Sequence, residues 1–332
     1  MLYLGVSYMG ESRKVQQTPT GTFFVCLPRD WAKRNNLSKG SKVNFEVASD
    51  GALFIDSKYN TEPELRVATL GIGPFLGREI IGRYLLGYDT INIVAKNRID
   101  TAARNIIKST AISLAGLEIV EENSFKISLQ SISQQPFGFL PGKILQRNCG
   151  LVTGMIRDVS TSFVNGDLEL AKSVVARDNE SNRLYFLLVR ILRTIIQNPR
   201  LSDKLGVTPI DCLDYRLAAS LIEGIGDACV QIAQNTIALN GIMLSEEPKK
   251  TLIELQSICC EANENAFKAF LSKDISIAEQ VRNLHPKVEA SCSTIERVAK
   301  DWSVDMLPQI LAAVSSLRQI YERSVDMADL VV

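Results

Sequence analysis

The sequence has 332 residues, of which 46% are hydrophobic and 22% charged, a balance typical of a globular protein with two or more domains. Lys plus Arg and Asp plus Glu are equal at 37 each, which excludes a strong overall attraction to nucleic acid, so any DNA-binding surface must be local. No apolar run approaches the roughly 20 residues that span a bilayer. Seven scattered cysteines with a single histidine indicate reduced thiols rather than zinc fingers, and we expect a cytoplasmic protein.

The N-terminal segment is predicted to form two pairs of short strands around one short helix. A Thr-Pro-Thr-Gly turn separates the first two β-rich runs, and Pro28 suits the first position of a helix. A Ser-Asp-Gly turn separates the last two strands. Strands this short cannot bury a core alone, so we expect the segment to dimerise. The strands are expected at 13–17, 22–27, 42–47 and 52–55, and the helix at 29–35.

This segment resembles the AbrB/SpoVT family of swapped-hairpin domains over residues 11–56, and Gly21, Pro28 and Gly40 fall at the expected breaks. The resemblance implies a homodimeric DNA-binding domain at residues 1–59. The first sixty residues carry eight Lys or Arg and five Asp or Glu, and 8 − 5 leaves an excess of +3. This excess is expected to contact DNA; the alternative is that the basic side chains are ordinary solvated charges on a domain that only dimerises. The candidate DNA-binding residues are Arg13, Lys14, Arg29, Lys33 and Arg34.

A small α/β segment is expected at residues 60–135. Its pattern alternates between β-rich runs and amphipathic helical runs. A stretch rich in Pro, Gln and Gly at 131–141 is the predicted linker to the rest of the chain. Strands are expected at 65–70, 90–95, 119–120 and 125–129, and helices at 76–86 and 101–114.

From residue 143 onward the sequence has helical periodicity almost throughout. In the last helix Ile310, Val314, Leu317, Tyr321 and Val325 recur every three or four residues and form one apolar stripe. The helices are long enough for a bundle. Six are expected, at 141–165, 167–197, 209–240, 247–272, 274–300 and 303–330.

An internal repeat divides these helices into two groups of three. Asp167 and Asp274 are 107 positions apart, and each can cap a helix that follows a short polar turn. Similar residues at matching positions follow both aspartates. Two copies of a three-helix unit, at 142–240 and 241–332, explain these matches.

Carboxylates four residues apart are the candidate ligands of the helical region. Glu223 and Asp227 project from one face of a helix, and Glu322 and Asp326 repeat the pattern 99 positions later. Paired hard oxygen ligands suit divalent cations such as Mg²⁺, or iron or zinc where several converge. The alternative is an ordinary solvated helix face. Asp178 and Asn182, also four apart, complete the first predicted cluster.

The run from 178 to 190, followed by Glu223-Gly-Ile-Gly-Asp227, resembles the PhoU family, and the resemblance covers about residues 142–332. It implies an all-α body of two three-helix bundles whose acidic motifs bind metal clusters. Asn182 stands where the family usually has an acid. We therefore expect weaker metal binding at the first cluster than at the second.

The second repeat supplies the other predicted cluster. The offset of 107 positions pairs His285 with Asp178 and Glu289 with Asn182. A histidine could ligate a transition metal, but one beside Pro286 is more often a surface or turn residue. The second cluster is therefore predicted as Glu289, Glu322 and Asp326.

Together the two resemblances imply an archaeal type of phosphate-uptake regulator that binds DNA as a homodimer. The alternative is a cytosolic interaction protein that modulates a phosphate ABC transporter or a sensor kinase, with the β-domain serving only for dimerisation. No nucleophile–base pair is visible, so an enzymatic role has little support in the sequence.

Overall fold

The computed structural model describes residues 12–47, 51–57, 65–132, 140–241, 246–298 and 306–331. The chain forms two compact units, Met1–Glu64 and Leu65–Val332. The predicted α/β segment thus lies in the same unit as the helices that follow it. Residues 133–139 of the predicted linker lie outside the described residues.

The first unit consists of two hairpins and one short helix. In chain order these are β1 (Gln16–Gln17), β2 (Phe23–Phe24), α1 (Arg29–Arg34), β3 (Asn44–Val47) and β4 (Leu53–Asp56). β1 pairs antiparallel with β2, and β3 with β4, in two separate sheets. Gly21, between β1 and β2, has a φ of +91°, which glycine adopts freely and other residues disfavour. The first hairpin is shorter than predicted, because only two residues of each strand pair.

None of the residues of this unit whose exposure the structure describes is buried. Large apolar side chains lie on its surface instead, with Phe23 69% exposed, Phe45 61% and Val47 71%. Ser57 Oγ donates to Asn35 Oδ1 at 2.8 Å, which ties the end of α1 to the chain after β4. A single copy therefore leaves in water the apolar surface whose burial would stabilise it by about 25 cal/mol per Å².

The second unit begins with a mixed sheet and two helices. In chain order these are β5 (Val67–Gly71), α2 (Leu76–Leu85), β6 (Thr90–Val94), α3 (Thr101–Ile112), β7 (Leu117–Glu122) and β8 (Lys126–Ser131). The strand order is β5-β6-β8-β7, with β5 parallel to β6 and the other neighbours antiparallel. Ile91 and Ile93 of β6 share a core with Ile80 of α2 and Ile107 of α3. The α/β character predicted for this segment is confirmed.

Long helices form the remainder of this unit. They are α4 (Pro141–Asn165), α5 (Leu168–Gln197), α6 (Pro199–Leu205), α7 (Pro209–Ala238), α8 (Glu246–Ser272), α9 (Ile275–Arg282), α10 (His285–Val298) and α11 (Leu307–Ala328). One apolar core joins both repeats, with buried residues from α4, α5, α7, α8 and α11. None of the described helices is both long and apolar enough to cross a membrane.

The helix starts predicted from the repeat are confirmed. At the beginning of α5 the Leu170 N–H donates to Asp167 Oδ1 at 3.0 Å. At the beginning of α9 the Ser276 N–H donates to Asp274 Oδ1 at 2.8 Å. Each carboxylate satisfies a backbone donor that has no partner within its own helix.

The single helix predicted at 274–300 is wrong, because the chain forms two helices there. α9 ends at Arg282 and α10 begins at His285. Pro286 has no N–H to donate to the carbonyl four residues earlier, and its ring disfavours a continuous helix at that point. The short helix α6 was also not predicted.

The α/β segment is fastened to the C-terminal half of α5. Arg190 Nη1 donates to the carbonyl oxygens of Tyr84 at 2.5 Å and Tyr88 at 3.0 Å. Arg66 Nη1 donates to Gln197 Oε1 at 3.1 Å. Arg66 Nη1 also donates to the Leu86 carbonyl at 2.7 Å, so both guanidinium groups lie against carbonyls near the end of α2, where positive charge is favourable.

Candidate metal centre

Asp178 and Asn182 lie one turn apart on α5. Asn182 Nδ2 donates to Asp178 Oδ2 at 2.8 Å, and Asp178 Oδ1 is buried without a hydrogen-bond partner. Burial and the nearby Asp227 charge raise the pKa of Asp178, against the lowering effect of the Asn182 hydrogen bond. A buried carboxylate oxygen without a donor is costly, and a cation is one way to satisfy it.

Gly226 allows α7 to approach α5 at this point. A Cβ built on Gly226 would lie 3.6 Å from both Asp178 Oδ1 and Ser181 Oγ. Ser181 is fully buried, and its hydroxyl donates to Asn148 Oδ1 at 2.9 Å, which fixes this turn of α5 against α4. A Cβ would fit there at ordinary contact distance, but a side chain that extends beyond Cβ would push the two helices apart.

Glu223 and Asp227 bring two further carboxylates to this crossing. Glu223 is partly buried and Asp227 is exposed. Burial raises the pKa of Glu223, and the charges of Asp227 and Asp178 raise it further, whereas Arg323 and Arg216 act in the opposite direction. Three carboxylates and two guanidinium groups thus act on one small region.

The four predicted ligands of the first cluster are therefore neighbours across the α5–α7 crossing. They do not form a closed ligand set as they stand. In the ranges that the structure describes, no group of three or more His, Cys, Asp or Glu residues is arranged to hold a metal ion.

The predicted ligands of the second cluster are placed differently. Glu289 accepts a hydrogen bond from Arg318 Nη2 at 3.3 Å, so a cation already lies beside it. Glu322 and Asp326 are exposed on α11. His285 is also exposed, and its ring stacks on Tyr321 with centroids 6.2 Å apart. The geometry thus favours the first cluster, the opposite of the order that charge count predicts.

The residues between the paired acids account for part of this difference. Position 325, which is 99 residues after Gly226, holds valine. A branched side chain there cannot permit the close helix approach that glycine allows. The break between α9 and α10 also interrupts the second repeat near the residues that should face Glu322.

The five basic residues predicted to contact DNA lie on the first unit. All five are exposed. Two come from the segment before β1 and three from α1, where Lys33 and Arg34 occupy the last turn. Arg34 Nε donates to the Asp30 carbonyl at 3.4 Å. Their role in DNA binding stays a prediction. The five are Arg13, Lys14, Arg29, Lys33 and Arg34.

Comparison with known proteins bears on the helical body. Residues 145–236 match the family model of the PhoU domain. The crystal structure of PhoU from Pseudomonas aeruginosa is similar to this chain, with a TM-score of 0.51 and 21% sequence identity over 57% of this chain and 92% of that one. The phosphate transport system regulatory protein PhoU from Streptococcus pneumoniae gives a TM-score of 0.48 and 16% identity, over 58% and 93%. A search of curated proteins found no match.

The PhoU domain match supports the family that the sequence resembles, and the Pseudomonas structure shows that the helical body shares its fold. The matched range contains every residue of the first acidic cluster. It contains none of the second.

Sequence reasoning missed three residues of this region. The sequence pattern places Gly226 in the acidic motif but does not indicate that two helices approach each other there. It also does not single out Arg216 or Arg323. The offset of 99 positions was a usable signal for Arg323, because it pairs that residue with Gly224, inside the acidic motif.

Proposed function

We propose that this protein is a PhoU-type regulator of phosphate homeostasis, acting in the cytoplasm. The PhoU domain match at 145–236 is the observation that carries the proposal. The Streptococcus pneumoniae relative is described as a phosphate transport system regulatory protein. No residue of the chain is proposed to be catalytic.

The helical body is proposed to bind a divalent or transition metal ion, such as Mg²⁺, iron or Zn²⁺, at the first cluster. The orphaned Asp178 Oδ1 and the partly buried Glu223 suit a cation, because both carboxylates are destabilised in their charged form. Asp227 and the Asn182 amide oxygen complete an all-oxygen set, which favours hard cations. Side-chain rotation would have to bring these oxygens within about 2.0–2.6 Å of the ion. A bound metal would neutralise the carboxylates and link α5 to α7.

The N-terminal unit is proposed to dimerise with a second copy of itself. None of its side chains whose exposure the structure describes is buried, and both hairpins present aromatic residues to solvent. Phe24 is 44% exposed and Phe54 42%, in addition to Phe23 and Phe45. A second copy would cover these residues, in keeping with the swapped-hairpin resemblance.

The same unit is proposed to bind DNA through its exposed basic side chains. Lys and Arg that neutralise phosphates release counterions, so binding of this kind weakens steeply as salt rises. The competing proposal is that the hairpins only dimerise the protein, and that the body acts on a phosphate ABC transporter or a sensor kinase. The exposed aromatic residues favour dimerisation under either proposal.

A salt-dependent gel shift on the full-length protein tests the DNA proposal. Duplex DNA should be retarded, and replacing Arg29 or Lys33 with alanine should weaken binding and reduce the salt slope by about one unit each. Lys268 on α8, which is also exposed, serves as the matched control, and Lys268→Ala should bind DNA as the parent does.

Light scattering on the same samples separates loss of the dimer from loss of phosphate contacts. The parent and the alanine variants should all be dimers. If the Arg29 and Lys33 variants remain dimers and their DNA affinity and salt slope are unchanged, the DNA proposal is contradicted. The competing proposal, in which the hairpins only dimerise the protein, would then stand.

A further inference from the structure

Arg323 of α11 lies directly against the backbone of α7 at Gly224. A Cβ built on Gly224 would be 2.5 Å from Arg323 Nε, 3.1 Å from Cζ and 3.2 Å from Cδ. Real side chains do not approach a Cβ this closely, and Nε and Cδ are not the free end of the side chain. Residue 224 must therefore be glycine while Arg323 holds this position.

Arg323 and Gly224 are also equivalent positions of the two repeats. Glu223 and Glu322 are 99 positions apart, and so are Gly224 and Arg323. The two repeat-related helices α7 and α11 therefore meet at the same position of their acidic motifs. Gly224 of the first repeat has no side chain and so leaves a notch in the surface of α7. The side chain of Arg323, from the second repeat, fills this notch.

The notch places a positive charge beside the first cluster. Arg323 follows Glu322, which is exposed, yet its side chain packs against Gly224 of the other repeat, the residue directly after Glu223. Nη1 of Arg323 donates to Gln319 Oε1 at 3.4 Å, which orients the group along α11. Arg216 adds a second positive charge from α7 itself.

We propose that Arg323 is an internal counter-cation of the first acidic cluster and that a bound divalent metal displaces it. This rests on the proposed metal site. A metal ion and a guanidinium beside the same carboxylates repel each other, so each weakens the binding of the other. Since Arg323 belongs to α11, metal binding in the first repeat is transmitted to the last helix of the second.

Metal titration of three full-length proteins tests the competition. Chelator-stripped parent, Arg323→Met and Arg323→Lys are titrated with Mn²⁺ in a calorimeter. Arg323→Met, which keeps a long unbranched side chain without charge, should bind roughly fivefold to tenfold tighter than the parent. Arg323→Lys keeps the charge and should match the parent within about twofold. Equal affinities in all three proteins would overturn the proposal.

A double-mutant cycle, run without metal, tests the packing of Arg323 against Gly224. Gly224→Ala should lower the melting temperature of the parent by about 2–4 °C, because the new Cβ meets Arg323. In the Arg323→Met protein the same change should be neutral or stabilising, since Met can move aside and alanine favours helix. An equal loss in both backgrounds would show that Arg323 does not fill the notch.

Hydrogen exchange tests the response of α11. Adding Mn²⁺ to the parent should increase exchange of the amides around Arg323, and the increase should be absent in Arg323→Met. No increase in the parent would overturn the transmission to α11. If none of the three proteins binds Mn²⁺, the proposed metal site fails and displacement of Arg323 fails with it. If all bind equally well, the metal site stands and only the role of Arg323 falls.

Discussion

The two repeats of the helical body carry the same pair of acids, four residues apart, and use them differently. In the first repeat Glu223 and Asp227 flank two glycines, one of which admits α5 and the other Arg323. In the second repeat Arg323 and Val325 occupy the equivalent positions. Glu223 of the first repeat is partly buried and the charges of Asp178 and Asp227 raise its pKa, whereas both acids of the second repeat are exposed.

This contrast shows that the spacing of acids along one helix does not by itself bring acids of neighbouring helices together. Spacing decides that two side chains leave a helix on one face. Whether a third ligand reaches them depends on how closely the next helix can pack, which small residues between the acids control. In the second repeat the acid on the neighbouring helix, Glu289, is instead paired with Arg318.

Metal-induced stabilisation is the largest effect expected to separate the two clusters. A metal at a hundredfold excess over its dissociation constant should raise the free energy of unfolding by about 2.7 kcal/mol. Asp227→Asn should lose most of this gain and Asp326→Asn should keep it. The measurement is melting of chelator-stripped protein titrated with Mg²⁺, Mn²⁺, Fe²⁺ or Zn²⁺.

Either of two results would break the comparison. If only Asp326→Asn loses the gain, the second cluster dominates, as the charge count predicts. If both variants respond as the parent does, the acids are solvated faces in both repeats.

Replacing Gly226 with valine, the residue at the equivalent position of the second repeat, should have the next largest effect on stability. Gly226→Val adds branches that reach Asp178, Ser181 and Val152, and should cost about 1–3 kcal/mol of unfolding free energy through overpacking. Gly226→Ala places its Cβ at an ordinary contact distance and should stay within about 1 kcal/mol of the parent. Urea unfolding measures both. A valine variant as stable as the alanine variant would mean that the helices do not approach closely here.

Stability as a function of pH should also distinguish the first cluster. The pKa values of Asp178 and Glu223 are raised in the folded protein. At a pH between the unfolded-state pKa and the folded-state pKa of either group, the folded state therefore binds more protons than the unfolded state. The contribution of these groups is therefore favourable at low pH and is lost as pH rises through the folded pKa. In chelator, the parent should lose more stability than Asp178→Asn between about pH 4 and pH 7.

The carboxylates of the first cluster remain partly exposed, so solvent screens the effect. Asp326→Asn removes a similar charge from the other cluster and corrects for the change in net charge. Parallel curves for the parent and Asp178→Asn would contradict the crowding of carboxylates at the first site.

The ion pair of the second repeat should give the smallest effect. Arg318 and Glu289 are 36% and 44% exposed at the side chain, and a pair of this kind contributes about 0.2–1 kcal/mol. A double-mutant cycle with Arg318→Met and Glu289→Gln measures the coupling. A coupling well above this range would mean that Arg318 has a larger structural role than an exposed ion pair.

Much of the architecture was predictable because it depends on local pattern. The predicted bounds of α4 match the structure, and those of α5 and α7 differ by one or two residues, since their apolar spacing and caps are read from neighbouring positions in sequence. The prediction of one helix at 274–300 was wrong because the apolar periodicity continues through Pro286. The helix breaks there because proline has no backbone N–H to donate. The ranking of the two clusters by charge also depends on the sequence alone, and it takes no account of how closely the helices pack.

The sequence by itself determined the α/β character of the second segment, the run of long helices, the repeat, and the positions of its paired acids. These follow from periodicity, capping and turn residues, which act over a few residues along the chain. Only the tertiary structure decided which acids meet, that Gly226 admits α5, and that Arg323 fills the notch at Gly224. Those contacts join residues far apart in sequence, and their distances depend on how closely two helices pack, which no local pattern encodes.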